Sequence, residues 1–257
     1  MGKKFKIVLA ILLTLVCLAL VLFLTVGGLP AKLMADRKAE LTDYVASDYP
    51  YADVPPLENG KTLEQFGLRM TVPADMHQKV RNHPDSSESV LDHVYVSETC
   101  NDTTVFGLTP FDFEEFDLDG ESSYLAENAL NRFSESIGLP HSGGWDWYTL
   151  YNLLYHMDSN DCNIHSFGQA NTYYALALFK DEAISPFRET WYWHPEGGDG
   201  FIVLMKEPTD ENPDHKYTLL AELYTPDERN ISYQAMISSR DLETCCAIVN
   251  SITPAKD

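Results

Sequence analysis

The sharpest candidate for chemistry in this sequence is an acidic run, DFEEFDLDGE, at residues 112–121. Calcium sites use several carboxylate and carbonyl oxygens at alternating positions, with a glycine where the loop turns sharply. Four residues match the first, third, fifth and sixth positions of an EF-hand loop, namely Glu115, Asp117, Asp119 and Gly120. The run therefore makes calcium the one metal to consider, with the first three residues as its carboxylate ligands.

The remainder of this loop departs from the EF-hand pattern and leaves a structural alternative open. The twelfth position should carry a bidentate glutamate, but it is Ala126, and Glu127 follows one place late. Carboxylates that precede a helix also stabilise the positive end of its dipole, and a helix is predicted to begin near Ser122. We expect the run to be such a helix approach, with calcium binding as the alternative.

The other potential nucleophiles and metal ligands lack the spacing that known sites use. The chain has 8 histidines, yet neither HExxH nor CxxC occurs, so no zinc site is predicted. Neither a GxSxG motif nor a glycine-rich phosphate loop with its lysine occurs. Cys162 and His165 are three residues apart, but no third group that would orient them can be identified, so a surface turn is expected there. We predict no catalytic residues, and no cofactor apart from the calcium alternative.

Clusters of aromatic residues are the second informative feature. Trp145 and Trp147 lie in WDWY, and Trp191 and Trp193 lie in TWYWH. Aromatic side chains at helix or strand spacing usually belong to the core. These clusters hold more aromatic surface than one buried face can hide, so some rings are also candidates for contact with a ligand or a protein partner.

The charge of the chain is unevenly distributed, which excludes one class of partner. The formal net charge is −21, but 6 of the 18 basic residues lie within the first 38 positions. Residues 39–257 carry 12 basic and 38 acidic groups, a formal net charge of −26. Nucleic-acid affinity comes largely from Lys and Arg that displace counterions from phosphates. We therefore predict no nucleic-acid partner.

A long hydrophobic segment near the N-terminus predicts where the protein is located. Residues 7–26, IVLAILLTLVCLALVLFLTV, contain no charged residue. A helix of this length spans about 30 Å, the thickness of the hydrocarbon core of a bilayer. Lys3, Lys4 and Lys6 precede the segment, which favours a cytoplasmic N-terminus. A cleaved signal peptide is the alternative, although its apolar stretch is usually shorter and ends at a small-residue site. Both readings place the rest of the chain outside the cytoplasm.

This location divides the chain into four predicted parts. They are a cytoplasmic tail (1–6), a transmembrane helix (7–26), a stalk helix with a Pro-rich linker (27–60) and an acidic extracytoplasmic domain (61–257). Gly27, Gly28 and Pro30 should end the transmembrane helix, because glycine and proline interrupt helical structure. The lipid bilayer is therefore the one specific partner that the sequence predicts, through residues 7–26.

Hydrophobic periodicity predicts an α+β fold for the domain. The predicted strands lie near 66–72, 90–96, 104–108, 190–193, 200–206, 217–224 and 230–238, the last two joined by the turn TPDER. The predicted helices cover 122–137, two arms of a hairpin between 145 and 180, and 240–252. This order indicates a mainly antiparallel sheet packed with helices, an α/β/α-like sandwich. Cys245 and Cys246 lie on the apolar stripe of the last helix, so they are expected to be buried, free thiols.

Three segments of the domain carry a resemblance to known proteins. They are GLRMTVP at the start, LLAELYTPDERNISYQAMIS in the last hairpin and RDLETCCAIVNSI in the final helix. Together they resemble uncharacterised membrane-anchored proteins and lipoproteins of Gram-positive bacteria and, more distantly, the PsbP-like α/β/α sandwich. The resemblance covers most of residues 61–254 and implies a bacterial envelope protein. It implies no catalytic residues.

Two functions of different classes follow from these observations. The leading prediction is a non-enzymatic extracytoplasmic module that binds an envelope protein or a small molecule. The alternative is an envelope hydrolase whose catalytic carboxylates or Ser/His pair the sequence does not reveal. A cleft with two carboxylates at catalytic separation would favour the hydrolase, and an exposed aromatic patch would favour the binding module.

Overall fold

The structure, a computed structural model, describes residues 3–40, 43–65, 67–81, 95–99, 103–112, 124–141, 143–207 and 214–255. The chain divides into two compact units. Unit 1 comprises Met1–Tyr44, Asp117–Trp145 and Leu153–Ser185, and unit 2 comprises Val45–Phe116, Asp146–Asn152 and Pro186–Asp257.

Unit 2 is built on two β-sheets. The larger sheet has the strand order β1-β7-β8-β9-β10-β6-β5-β4, and the smaller has the order β11-β3-β2. The strands are β1 (Ser47–Asp48), β2 (Lys61–Gln65), β3 (Leu68–Val72), β4 (His77–Arg81), β5 (Tyr95–Thr99), β6 (Thr103–Asp112), β7 (Phe187–Trp193), β8 (Asp199–Met205), β9 (Tyr217–Thr225), β10 (Glu228–Ser239) and β11 (Thr253–Pro254). The short strand β1 pairs parallel to β7, and the other described pairs are antiparallel. The predicted α+β class with a mainly antiparallel sheet is therefore confirmed.

The central hairpin of the large sheet forms where the alternation predicts it. β9 and β10 pair from Tyr217 opposite Ser239 to Thr225 opposite Glu228, so only Pro226 and Asp227 lie in the turn. All seven inner residues of β9 are buried, which is typical of a central strand covered on both faces. The two faces of β9 consequently have different neighbours.

One face of the large sheet contributes to the main hydrophobic core of unit 2. This face packs against the C-terminal helix α6 (Leu242–Val249), which begins at Asp241, where the side chain accepts a hydrogen bond from the Thr244 amide at 2.8 Å. The core includes Leu219, Ala221, Leu223, Ala235, Ile237, Cys245, Cys246, Ile248 and Val249. Both cysteines are free, fully buried thiols, which confirms the prediction made for them.

Unit 1 is helical over its described residues. Its helices are α1 (Lys3–Val26), α2 (Leu29–Lys38), α3 (Glu127–Ser136) and α5 (Phe167–Ile184). Helix α4 (Trp147–His156) belongs to unit 2 as far as Asn152 and to unit 1 beyond it. The small residues Ala31 and Ala35 are buried on α2, which lets this helix pack closely against α5.

Several segments differ from the sequence predictions in detail. β2 and β4 are additional strands, and the predicted linker includes β1 and the core residue Tyr49. The predicted stalk helix corresponds to α2, which ends at Lys38. Most of the strand predicted at 90–96 lies outside the described residues.

A membrane-spanning helix is a separate question. Among the residues that the structure describes, none of the helices combines the length and the apolar character needed to cross a bilayer.

Candidate functional site

A cavity of about 440 Å³ lies in unit 2. Three segments that are distant in sequence form its walls: residues 48–52 from the end of β1, residues 192–196 at the end of β7, and residues 250–253 from the end of α6 to the start of β11. Small-molecule sites usually have volumes of roughly 300–1,000 Å³. The size of this cavity is therefore suited to a small organic ligand.

Backbone and side-chain hydrogen bonds fix the wall that residues 48–54 form. The Tyr49 amide donates to the Tyr192 carbonyl at 3.1 Å, which continues the pairing of β1 with β7. At the end of α6, the side-chain amide of Asn250 donates to the carbonyls of Tyr51 and Val54, each at 2.8 Å. One asparagine thus ties an irregular segment to a helix end, which fixes this wall of the cavity.

The cavity lining combines acidic and aromatic side chains. Asp48 and Glu196 contribute two exposed carboxylates at the rim. Tyr49, Tyr192 and Trp193 also line it; Tyr49 and Trp193 are buried core residues, and Tyr192 is half-buried. Neither lysine nor arginine is among the described lining residues. The cavity therefore has a negative formal charge beside aromatic surface.

A histidine–carboxylate–arginine chain begins at this cavity. His194 lines the cavity, and its Nδ1 lies 3.0 Å from Asp199 Oδ1. The other oxygen of that carboxylate accepts a hydrogen bond from Arg229 at 3.3 Å. The guanidinium of Arg229 also lies 4.9 Å from the ring centroid of Tyr148, a cation–π distance. Asp199 therefore orients the imidazole and is itself held by an arginine.

A second group of interest, Glu222, lies on the face of β9 opposite the main core. It is only 4 % exposed, and it accepts hydrogen bonds from the Tyr224 hydroxyl at 3.2 Å and from the Gln234 side-chain amide at 3.4 Å. Gln234 also contacts the buried Ser232 hydroxyl at 3.1 Å. Burial raises the pKa of the Glu222 carboxyl to about 7, and the Tyr224 hydrogen bond opposes this rise. Such a displaced pKa is a feature that functional sites and buried structural networks share.

Aromatic rings surround this carboxyl within unit 2. Tyr148 stacks on Phe201 at 5.5 Å between centroids and lies 5.6 Å from Tyr224. Phe201 pairs directly with Glu222 across the β8–β9 ladder, and Tyr192 lies 5.8 Å from Phe201. Burial raises the pKa of Tyr148 and Tyr192, so both stay protonated hydroxyls at neutral pH. Glu222 itself is buried and does not line the cavity, which favours a structural role for this carboxyl over substrate contact.

The four tryptophans singled out by the sequence lie in different places. All are buried, none more than 8 % exposed. Trp145 belongs to unit 1, where its indole nitrogen donates to Asn131 at 2.8 Å. Trp147, Trp191 and Trp193 belong to unit 2, and of these Trp193 lines the cavity. The core alternative accounts for their burial, and the predicted ligand contact is kept for Trp193.

The predicted metal ligands cannot be placed. Glu115, Asp117 and Asp119 lie outside the described residues, so the calcium alternative stays a prediction. Elsewhere, within the described part of the chain, no three His, Cys, Asp or Glu side chains are grouped so as to hold a metal ion.

The Cys162 and His165 pair does not form a reactive centre. The Cys162 thiol is buried, and burial raises its pKa to about 11, so it is not activated as a thiolate. His165 Nδ1 instead contacts the Thr25 carbonyl. The segment forms a turn in which Asn160, Asn163 and His165 are exposed, whereas the free Cys162 thiol is buried near Lys32 and Asp36 of α2.

Unit 1 also holds a buried lysine that the sequence analysis did not single out. Lys180 of α5 is fully buried, and its ammonium group donates to the Met157 carbonyl. Burial lowers its pKa to about 8, although the carboxylates of Asp158, Asp43 and Asp161 favour the charged form. An amine held by a backbone carbonyl links α5 to the turn before it, which is a structural role.

Comparison with known proteins does not identify a family for this chain. No family model matches the chain, and no curated protein matches it. The cavity must therefore be interpreted from its own residues.

Sequence reasoning missed most of the cavity residues. Asp48 lies in a segment predicted as linker, and Glu196 lies in a glycine-rich turn after TWYWH. Gly197, which follows Glu196, has φ +93°, a left-handed conformation that glycine adopts without strain. The one available signal was the TWYWHPEGG sequence, where aromatic, histidine and acidic residues adjoin a turn.

Proposed function

We propose that unit 2 is a small-molecule-binding module and that its ligand occupies the cavity between residues 48–52, 192–196 and 250–253. The observation that carries this proposal is the cavity itself, about 440 Å³ in volume and lined by Tyr49, Tyr192 and Trp193 together with carboxylates. Sites for small molecules combine apolar or aromatic surface with a few placed polar groups. Trp193 is also one of the residues that the sequence predicts to contact a ligand.

We further propose that the module acts outside the cytoplasm of a bacterial cell, held by residues 7–26 as a transmembrane helix. This rests on the charge-free run of 20 residues, on the lysines that precede it, and on the resemblance to membrane-anchored envelope proteins. The described side chains of this run, from Leu12 to Phe23, are exposed, and a helix that is apolar on all sides favours a lipid environment.

The binding proposal is tested by closing the cavity. Ala52 lines the cavity and is exposed, so Ala52→Trp should fill the space without disturbing the core. Ala74→Trp is the matched control, because Ala74 is exposed in unit 2 but does not line the cavity. The detergent-solubilised full-length chain is screened by saturation-transfer NMR against a fragment library with equal numbers of anionic, neutral and cationic compounds.

We expect at least one fragment to bind the wild-type chain and the Ala74→Trp variant, with the signal lost in Ala52→Trp. The physical reason is that an indole side chain removes the volume that the fragment would occupy. If no fragment distinguishes Ala52→Trp from the other two proteins, the cavity is not a ligand site and the proposal is wrong.

One observation favours the hydrolase as a second candidate function. His194 lines the same cavity, and Asp199 orients its ring at 3.0 Å, as the carboxylate of a catalytic triad orients its histidine. In this case His194 Nε2 would take a proton from a water whose oxygen bonds to the acyl carbon of an ester. The acyl C–O bond would then break, and the proton would go to the departing oxygen or, for a nitrophenoxide, to solvent. Hydrolysis of 4-nitrophenyl acetate should then fall about a hundredfold in His194→Gln, a typical loss for a general base. A rate equal to that of wild type would show that His194 is not the base of a hydrolase, and this second candidate function would be rejected.

A further inference from the structure

The cavity lining carries a charge asymmetry that restricts the chemistry of a ligand. Two of its side chains, Asp48 and Glu196, are carboxylates, and its described residues include no lysine or arginine. Arg229, the arginine of the hydrogen-bonded chain described above, is bonded to Asp199 and lies over the Tyr148 ring. Among the described lining residues, an anionic ligand would therefore meet two like charges and neither a lysine nor an arginine.

The aromatic lining residues independently favour a positively charged ligand. Tyr49, Tyr192 and Trp193 are among the lining residues, and the negative face of an aromatic ring attracts cations, most strongly for tryptophan. Tyr49 is itself held by edge contacts with Tyr51 and by a tilted contact with Trp191, at 5.8 Å in each case. The ring of Tyr49 is thus fixed by packing, and Tyr49 and Trp193 are core residues that also line the cavity.

We propose that the cavity selects an organic cation, an ammonium group carried on a small apolar body. This inference rests on the proposed function, because it names the ligand class for the same site. The ammonium group is attracted by the carboxylates of Asp48 and Glu196, and the rings receive its alkyl substituents. The backbone that presents these groups is held by Asn250, so little ordering is needed on binding.

The volume of the cavity agrees with this ligand class. At about 440 Å³ it exceeds the space that a single metal ion or ammonium ion needs. It lies within the range that encloses small organic molecules. A ligand with a cationic head and an apolar body uses both the charge and the rings, whereas a bare ion would use only the charge.

The experiment compares two probes that differ in charge and have nearly the same shape, choline and 3,3-dimethylbutan-1-ol. Each is titrated into the detergent-solubilised full-length chain, and chemical shifts of indole NH groups are followed by NMR. We expect choline to bind at least about tenfold more tightly than its neutral isostere, because only choline gains from the carboxylates and the ring faces. Binding of choline should weaken as salt increases, since the rim carboxylates are exposed.

Substitutions of the two exposed carboxylates test the effect of their charge while the side-chain shape is kept. Asp48→Asn and Glu196→Gln keep the size of the side chains, and both residues are exposed, so the fold should be retained. Each should weaken choline binding about fivefold, the effect of one exposed charge partner, and leave 3,3-dimethylbutan-1-ol unchanged. Glu243→Gln, an exposed glutamate on α6 outside the lining, is the matched control and should bind choline as wild type does.

The outcomes distinguish this inference from the function on which it rests. If the neutral isostere binds as tightly as choline and Ala52→Trp abolishes both, the cavity binds ligands but does not select cations, and the inference is overturned. If choline binding is unaffected by Asp48→Asn, Glu196→Gln and Ala52→Trp, the cation binds elsewhere and the inference is again overturned. If no fragment binds in a way that Ala52→Trp abolishes, the proposed binding function itself is wrong, and this result is separate from the choline measurements.

Discussion

Replacing Glu222 with glutamine should make unit 2 more stable above pH 7, by about 3 kcal/mol in the free energy of unfolding. Glu222 is almost completely buried, and burial raises its pKa from an ordinary 4.5 to about 7. Above pH 7 the folded protein must therefore hold a charged carboxylate among aromatic rings, whereas the glutamine amide stays neutral and keeps a similar shape.

The sign of the pH dependence follows from proton binding in the two states. Between about pH 4.5 and pH 7 the unfolded chain has released the Glu222 proton, while the folded chain still binds it. Because the folded state then binds more protons, the free energy of unfolding decreases as pH rises through this window. Below the window both states are protonated, and above it both are ionised. The stabilising contribution of Glu222 to the free energy of unfolding is therefore lost by about pH 7 and does not return at higher pH.

Urea unfolding of the detergent-solubilised full-length chain at pH 5, 6, 7 and 8, followed by tryptophan fluorescence, measures this effect. The difference in unfolding free energy between Glu222→Gln and wild type should grow from pH 5 to pH 7 and then level off. Glu243→Gln, an exposed glutamate in the same unit, should follow the wild-type pH profile. A difference that is the same at all four pH values would show that Glu222 is ionised throughout, and the prediction would be wrong.

The hydrogen-bond network explains why such a residue is tolerated. Tyr224 donates to one carboxyl oxygen of Glu222 and Gln234 donates to the other, so both oxygens are satisfied. A buried polar group costs several kcal/mol only when its partners are missing. Tyr224→Phe would remove one donor and should push the pKa of Glu222 further upward, since that hydrogen bond now lowers it.

The elements of the fold were easier to predict than the positions of the functional groups. The β9–β10 hairpin and the buried stripe of α6 follow from local periodicity, because each needs only one apolar face in one segment. Glu222 does not follow the same rule. Alternation places it on the polar face of β9, yet residues from 146–152 cover that face with Tyr148 and related rings.

The cavity was beyond sequence reasoning for a different reason. Asp48, Glu196 and Asn250 lie in three segments separated by more than fifty residues each, and only the parallel pairing of β1 with β7 brings two of them to one wall. A two-residue strand in a proline-rich segment leaves almost no periodic signal. The tryptophans, in contrast, were visible in the sequence, but their number alone does not show that Trp193, a core residue like Trp191, also lines the cavity.

A second large effect is expected at the N-terminal hydrophobic segment. We predict that Leu15→Arg combined with Leu18→Arg releases the protein from the membrane. Both leucines are near the centre of residues 7–26, and each arginine there costs about 3 kcal/mol for insertion into the bilayer. Leu15→Ile with Leu18→Ile is the matched control, because isoleucine inserts about as favourably as leucine.

Fractionation and protease protection in a Gram-positive host measure this prediction. The wild-type chain and the isoleucine variant should stay in the membrane pellet after alkaline carbonate extraction, and protease added to protoplasts should digest residues 61–257. The arginine variant should be found in the cytoplasmic fraction and be protected from the protease. Release of a wild-type chain that lacks its first residues into the medium would instead identify a cleaved signal peptide.

The same experiment bears on the ligand of unit 2, because location determines which molecules reach the cavity. A wild-type chain that is soluble and protected from external protease would remove the extracytoplasmic placement while leaving the cavity proposal intact, since binding depends only on residues of unit 2. Digestion of residues 61–257 from outside would instead direct the search for a natural cation to the cell envelope. Loss of the anchor and loss of choline binding are therefore independent measurements, the first made on residues 7–26 and the second on Asp48 and Glu196.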